Sequence, residues 1–235
     1  MTALDPPRED ARTALADALG ALAATLRFHR GLGVETLPLT GDFLKTPAEA
    51  LRAQEQALQG CRRCKLSEGR HTIVFGAGNP EADLVVIGEG PGADEDAQGL
   101  PFVGRAGQLL TKMLEAVKLS RDDVYILNAV KCRPPGNRNP EADELAACAP
   151  FLAEQFGVIQ PKVILSLGSV ATQALLRTRE PIGKLRGRIH PYGNAVLIPT
   201  FHPAFLLRNP GQDYKRMAWE DLKLARREYD ARRTR

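Results

Sequence analysis

The sequence predicts an α/β domain: a central four-stranded parallel sheet with helices on both faces, in three layers. Two observations carry this, and a third sets its scale. Short β-branched runs alternate with stretches of helical character from residue 83 to the C-terminus, the pattern of a parallel sheet covered on both faces. Glycine- or proline-bearing loops separate each run from the helix that follows it. At 235 residues, 43% hydrophobic and 26% charged, the chain has the composition of an ordinary globular protein and can bury one good core.

Residues 1–45 read as an N-terminal extension. Its Ala/Leu stretch, Thr13–Leu26, is broken by Asp17 and preceded by Asp5, Glu9 and Asp10. An acidic lead-in is the wrong flank for a signal peptide, so the expectation is an amphipathic helix, followed by the Gly/Pro-containing stretch Gly31–Pro47. Thr46-Pro47-Ala48-Glu49 then offers an N-cap, proline at N1 and glutamate at N3, a capping box with proline in its tolerated place. That helix ends at Gly60, a suitable C′ residue, and hands the chain directly to Cys61.

The first strand is expected over Asp83–Ile87, followed by a Gly-rich loop and a helix near Ala106–Leu119. Val124–Leu127 is the second strand, followed by a Pro-rich loop and a helix whose start reads Asn139-Pro140-Glu141, with an N-cap and proline at N1. Lys162–Leu167 is the third, with a helix after Gly168. Ala195–Pro199 is the fourth, followed by a loop and a long helix from about Gln212. The domain is therefore drawn over residues 46–211, with a basic C-terminal helix over 212–235 packed on it or trailing it. No run approaches the roughly 18 apolar residues of a membrane span, and the protein is expected in the cytoplasm, where thiols stay reduced.

The net charge of +4 and a sequence pI near 9.0 favour a polyanionic partner. The placement of charge says more. Arg62, Arg63 and Lys65 surround a C-x2-C pair, Lys131, Arg133 and Arg138 surround Cys132, and Arg186, Arg188 and Arg208 lie near His190 and His202. The four cysteines, Cys61, Cys64, Cys132 and Cys148, make one quartet, which suits either tetrahedral zinc or a [4Fe-4S] cubane. On spacing alone both remain open.

In open α/β sheets ligands bind beyond the carboxyl ends of the strands. Those ends read Gly88-Glu89-Gly90-Pro91-Gly92, Asn128, Gly168-Ser169 and His202-Pro203. A carboxylate, a carboxamide, a Gly-Ser turn and an imidazole project to one place, which reads as an active site. The GEGPG loop lacks the lysine of a P-loop and departs from the G-x-G-x-x-G fingerprint, so a nucleotide-cofactor enzyme is the lesser alternative. A non-enzymatic zinc or iron–sulfur nucleic-acid-binding module is another. Glycine at these positions lets backbone approach a flat ligand closely.

GEGPG at 88–92, LPFVGRAG at 100–107, LNAVKCRPPGNRNP at 127–140 and HPAFLLRNP at 202–210, in that order and with the cysteine quartet, resemble the family 4 uracil-DNA glycosylases. The likeness runs from about Gln59 to Pro210. It implies a structural [4Fe-4S] cluster, rather than zinc, on Cys61, Cys64, Cys132 and Cys148, with the basic residues beside the ligands available to DNA phosphates. It implies excision of uracil from DNA, single- or double-stranded, by a monomer with no obligate protein partner. On this likeness Phe102 stacks on the flipped base, Asn128 reads its edge, and Glu89 and Gly90 line its loop. His202 stabilises the departing base, and Glu89 orients water or stabilises the sugar cation. Glu95 is the candidate for excluding the thymine methyl group. The segment Ala204–Arg208 resembles a duplex wedge, with Leu206 or Leu207 as the apolar tip and Arg208 on DNA. Gly168 and Ser169 are expected to bind a backbone phosphate through exposed N–H groups. The basic run Arg226, Arg227, Arg232, Arg233 and Arg235 either adds DNA affinity or merely complements its helix end. No lysine stands where a Schiff base is formed, so no lyase step is expected.

Overall fold

The computed structural model describes residues 19–27, 30–31 and 45–233. The start of the Thr13–Leu26 stretch and most of Gly31–Pro47 lie outside them, as does Arg235. Residues 19–27 are helical, and the Gln160 side-chain amide donates to Thr25 Oγ1 at 3.3 Å.

Helix α1 (Pro47–Leu58) begins as its capping box requires: the Thr46 hydroxyl accepts from the Glu49 N–H, and the Glu49 carboxylate accepts from the Thr46 N–H. It ends with Gly60 at φ +73°, a left-handed turn that directs the chain toward Cys61. The elements that follow are β1 (Ala77–Gly78), β2 (Leu84–Gly88), α2 (Ala93–Gln98), α3 (Arg105–Ala116), β3 (Tyr125–Asn128), α4 (Ala142–Ile159), β4 (Val163–Leu167), α5 (Ser169–Leu176), α6 (Ile182–Leu185), β5 (His190–Tyr192), β6 (Ala195–Thr200), α7 (Pro203–Arg208) and α8 (Gln212–Arg232). The expected start of α4 is corrected. Asn139 does not cap it. Glu141 is the N-cap residue, and its N–H donates to the Glu144 carboxylate at 2.7 Å.

Among the described residues the sheet has six strands, in the order β1-β3-β2-β4-β6-β5. The four expected strands form its parallel centre, so the four-stranded expectation stops short by two antiparallel edges, β1 on β3 and β5 on β6. Those edges are two and three residues long, and neither presents an apolar run in the sequence.

Successive strand side chains point to opposite faces, and both faces are buried. Leu84, Val86, Ile126 and Leu165 pack with Leu110 and Leu114 of α3 and Leu222 and Ala225 of α8. Val85, Ile87, Leu127 and Ile164 pack with Leu51 and Leu58 of α1 and Phe156 of α4. Each fully buried Leu or Ile stabilises the fold by about 1.5–3 kcal/mol relative to exposure. Helix α8 lies against β4 and β6, so this C-terminal segment contributes to the core. Among the described residues no helix is long and apolar enough to cross a membrane.

Candidate active site

The carboxyl ends of β2, β3 and β6 carry Glu89, Asn128 and His202, and these three line one cleft of about 400 Å³ with Phe102, Arg208 and the 134–139 loop. The register explains the convergence. Gly88 pairs with Asn128 at the ends of β2 and β3, and β6 delivers His202 two residues after its last strand position, Thr200.

Asn128 is buried to 1% exposure, and its Oδ1 has no hydrogen-bond partner within the protein. A buried polar atom left unpaired costs on the order of 1–3 kcal/mol, so this oxygen is set to receive a donor from outside the chain. Gly88 makes room for it. A Cβ there would stand 2.5 Å from Asn128 Oδ1 and 2.5 Å from Phe102 Cζ.

Phe102 is buried with φ +54°, a left-handed backbone that costs a non-glycine residue roughly 1–2 kcal/mol. Its surroundings hold that conformation in place. The Glu95 carboxylate accepts from the N–H groups of Val103 and Gly104, both at 2.9 Å, and of Gly92 at 3.1 Å. Gly107 admits the Phe102 carbonyl, which a Cβ at 107 would meet at 1.8 Å. The Phe102 ring lies 5.7 Å from the His202 imidazole, tilted by 33°.

His202 caps α7, its Nδ1 accepting from the Ala204 N–H at 3.1 Å. A nitrogen that accepts carries no proton, so the neutral ring carries its proton on Nε2. Burial, helped by the Arg208 charge, pulls the imidazole down to about 4. At neutral pH it is therefore an uncharged donor. Glu89 shifts the other way: burial raises its carboxyl above the usual carboxylate range, and Arg208 opposes this.

The four thiols are free and border a second cavity, lined also by Arg70 and Lys131. Among the described residues no group of three or more His, Cys, Asp or Glu is arranged to hold a metal ion. Burial pushes the Cys132 thiol up to about 11 and raises Cys148 as well. Around them stand donors: Arg70 Nη1 on Cys132 Sγ and the Lys131 N–H on Cys148 Sγ, both at 3.4 Å. The Lys131 ammonium is fully buried and donates to the Asn128 carbonyl at 2.9 Å. Burial draws it down to about 8, and among the described residues no carboxylate pairs with it.

The family follows from comparison of this core with known proteins. Residues 75–223 match the model described as the uracil DNA glycosylase superfamily. The chain belongs to that superfamily. It is 43% identical over 183 residues to the type-4 uracil-DNA glycosylase of Thermotoga maritima, covering 77% of this chain and 95% of the relative. It is 48% identical over 159 residues to the type-4 uracil-DNA glycosylase of Saccharolobus solfataricus, covering 64% and 74%. The type-5 uracil-DNA glycosylase of Thermus thermophilus is 32% identical over 213 residues, covering 73% and 95%. The higher identities put the chain in the type-4 branch of the uracil-DNA glycosylases.

Within this glycosylase fold, Glu89, Gly90, Glu95, Phe102, Asn128, His202 and Arg208 all line the cleft. Other expectations are redirected. Leu206 is 4% exposed and packs in the core, whereas Leu207 is 42% exposed. The Glu95 carboxylate, engaged by three backbone N–H groups, ties the 92 and 103–104 loops together rather than projecting freely. Gly168 and Ser169 are not among the residues lining the cleft, and a Cβ at Gly168 would meet His202 Cβ at 3.0 Å.

Much of the basic charge is also committed within the fold. Arg138 forks onto buried Glu144, and Lys65 pairs with Glu141. Arg186 forks onto fully buried Asp221, and His190 Nε2 bonds the Leu185 carbonyl. Arg226 caps the end of α3 through the carbonyls of Val117 and Lys118, and Arg232 pairs with Glu228. Sequence reasoning set Lys131 beside Cys132 but missed its bond to the Asn128 carbonyl, and it missed Arg121 altogether. Lys131 carries a legible signal, a lysine immediately before a cysteine ligand candidate. Arg121 carries none, because its partners lie about 20 residues away.

Proposed function

We propose that the cleft binds a deoxyuridine flipped out of DNA and hydrolyses its N-glycosidic bond, releasing uracil and leaving an abasic site. The type-4 relatives support the activity, and one observation supports the recognition: the unpaired, buried Oδ1 of Asn128. Uracil N3–H is a donor, and the Asn128 amide NH2 can give to O4 in the same plane. Cytosine reverses both, offering an acceptor at N3 and a donor at position 4. A site built for one pattern rejects the other by roughly 10⁴-fold or more. Extrusion costs a few kcal/mol, and stacking on Phe102 helps to offset it. Leu207, the exposed apolar residue of the 204–208 segment, fills the space the base leaves, as inserted wedges do.

In the reaction the C1′–N1 bond breaks with its electron pair passing to uracil, and positive charge develops on the sugar. His202 Nε2–H donates to O2 as negative charge gathers there. Because the imidazole is neutral it gives a hydrogen bond without giving up its proton, the preorganised stabilisation worth about 10²–10³ in turnover. Water adds to C1′ on the cation's open face and loses its proton. We assign Glu89, which lines the cleft, to that step: its negative charge would favour the cation and its oxygen would take the water proton. We assign no lyase step to the cleft, so the proposed reaction ends at the abasic site.

Cys61, Cys64, Cys132 and Cys148 would hold a [4Fe-4S] cluster, which supplies a cross-link between the end of α1, the loop after β3 and α4. All four thiols border one small cavity, and four thiolates are what a cubane takes, one on each iron. The N–H donors to sulfur and the buried Lys131 ammonium, which among the described residues pairs with no carboxylate, both suit an anionic cluster. The test of function is a uracil-containing oligonucleotide incubated with protein and then treated with alkali. Strand scission at the uracil is expected, and intact strands from folded, cluster-loaded protein would refute the reading. Borohydride should trap no covalent adduct.

A further inference from the structure

Arg121 lies outside the cleft, in the short turn Arg121–Asp123 between α3 and β3. Its guanidinium nevertheless reaches back to the loop that carries the stacking ring. Nη1 donates to the Phe102 carbonyl at 3.1 Å and Nη2 to the Pro101 carbonyl at 2.7 Å. Two consecutive carbonyls held by one planar fork fix the peptide between them, and they fix it at the one residue of the loop whose backbone is left-handed without being glycine. From the other side the Glu95 carboxylate holds the next two N–H groups, those of Val103 and Gly104.

The loop is thus clamped by a cation on its carbonyls and an anion on its N–H groups, with Phe102 between them. We infer that Arg121 is a positioning residue for uracil excision: by chelating the Pro101 and Phe102 carbonyls it holds the Phe102 ring against Gly88 and facing His202. This rests on the proposal that Phe102 stacks on the base. The ion pairs found for the described residues include none with Arg121, so its guanidinium is directed at these carbonyls. A lysine ammonium in the same place, a point charge with no fork, can hold one carbonyl well but cannot hold both in one plane.

The test is a double-mutant cycle of Arg121→Met and Phe102→Ala, read as kcat/KM on uracil-containing DNA and as the inhibition constant of free uracil. A loop displaced by about 1 Å costs on the order of 10²-fold in rate, so Arg121→Met should lower kcat/KM by roughly 10- to 100-fold. It should also weaken inhibition by uracil. In the Phe102→Ala background the same substitution should change either quantity by less than about 3-fold, because the ring it positions is gone. Arg121→Lys should fall between wild type and Arg121→Met, and it stands in for Arg121→Met should that variant fail to fold. Equal losses in both backgrounds would mean a general structural role and overturn the inference. So would a Phe102→Ala loss unaccompanied by any Arg121 effect, which leaves the stacking proposal intact. Unaltered uracil inhibition in Phe102→Ala alone would overturn the stacking proposal and this inference with it.

Discussion

Replacing Gly88 by alanine tests whether the cleft depends on Asn128 and Phe102 closing over the end of β2. The added Cβ would stand 2.5 Å from Asn128 Oδ1, 2.5 Å from Phe102 Cζ and 2.9 Å from Phe102 Cε2, where ordinary contact begins at 3.4 Å. Neither neighbour can swing away freely. Asn128 is fully buried in β3, and the Phe102 loop is held by Arg121 and Glu95. The ring and amide must therefore retreat together by about 1 Å, a misplacement that costs roughly 10²-fold in rate. Overpacking of this size destabilises a core by about 1–3 kcal/mol, which at roughly 2–4 °C per kcal/mol in a domain of this length lowers Tm without unfolding the protein at room temperature. Steady-state cleavage of a uracil-containing duplex should show kcat/KM down about 100-fold, with the free-uracil inhibition constant raised. Gly183→Ala is the control: nothing lies within 4 Å of its Cβ position, so activity should be unchanged. Gly88→Ala activity within about 3-fold of wild type would refute the packing argument and remove Gly88 from the account of base recognition.

Asn128→Asp should blur uracil against cytosine, since a protonated carboxyl offers its donor and acceptor to either edge; the assay compares cleavage of U- and C-containing strands, and undiminished selectivity would count against Asn128. His202→Ala should lower turnover about 10²–10³-fold while affinity for abasic DNA changes little. For pH, the neutral His202 persists down to about 4, so activity from this group is complete above that value and lost as pH falls through it. Between the unfolded value of 6.5 and about 4 the unfolded chain binds a proton that the folded imidazole refuses, so acidification across that window destabilises the fold, and His202→Gln should flatten that part of the stability profile. Glu89, raised by burial, should impose its own activity limb above the ordinary carboxylate range, and Glu89→Gln should abolish it. Leu206→Ala should cost about 2–5 kcal/mol of stability, whereas Leu207→Ala should leave Tm nearly unchanged and slow excision from duplex more than from single-stranded DNA.

The strand ends were legible because their chemistry is local. A β-branched run followed by Gly-Glu-Gly, by Asn or by Phe-His-Pro announces both a strand and what stands beyond it. The capping box at Thr46 and the turn at Gly60 were legible for the same reason, as each involves residues three or four apart. The edge strands β1 and β5 were not. A two-residue strand has no periodicity of its own and exists only because β3 offers it a free row of backbone groups. The assignment of α4's start to Asn139 failed because Glu144, one turn into the helix, satisfies the Glu141 N–H and begins the helix two residues later than proline suggests.

Residue type and near-neighbour spacing suffice for the parallel centre, the cysteine quartet and the set of polar groups at the strand ends, so these belong to the sequence. Which neighbours those groups meet was decided only by the folded chain. Folding turned Leu206 inward and left Leu207 exposed, engaged the Glu95 carboxylate with loop N–H groups, and paired much of the basic charge internally. It also brought Arg121 to the Phe102 loop and Lys131 to the Asn128 carbonyl. The difference is physical. A side chain's type limits the bonds it can make, but whether it makes them to solvent, to ligand or to its own chain depends on which neighbours folding brings within hydrogen-bonding distance.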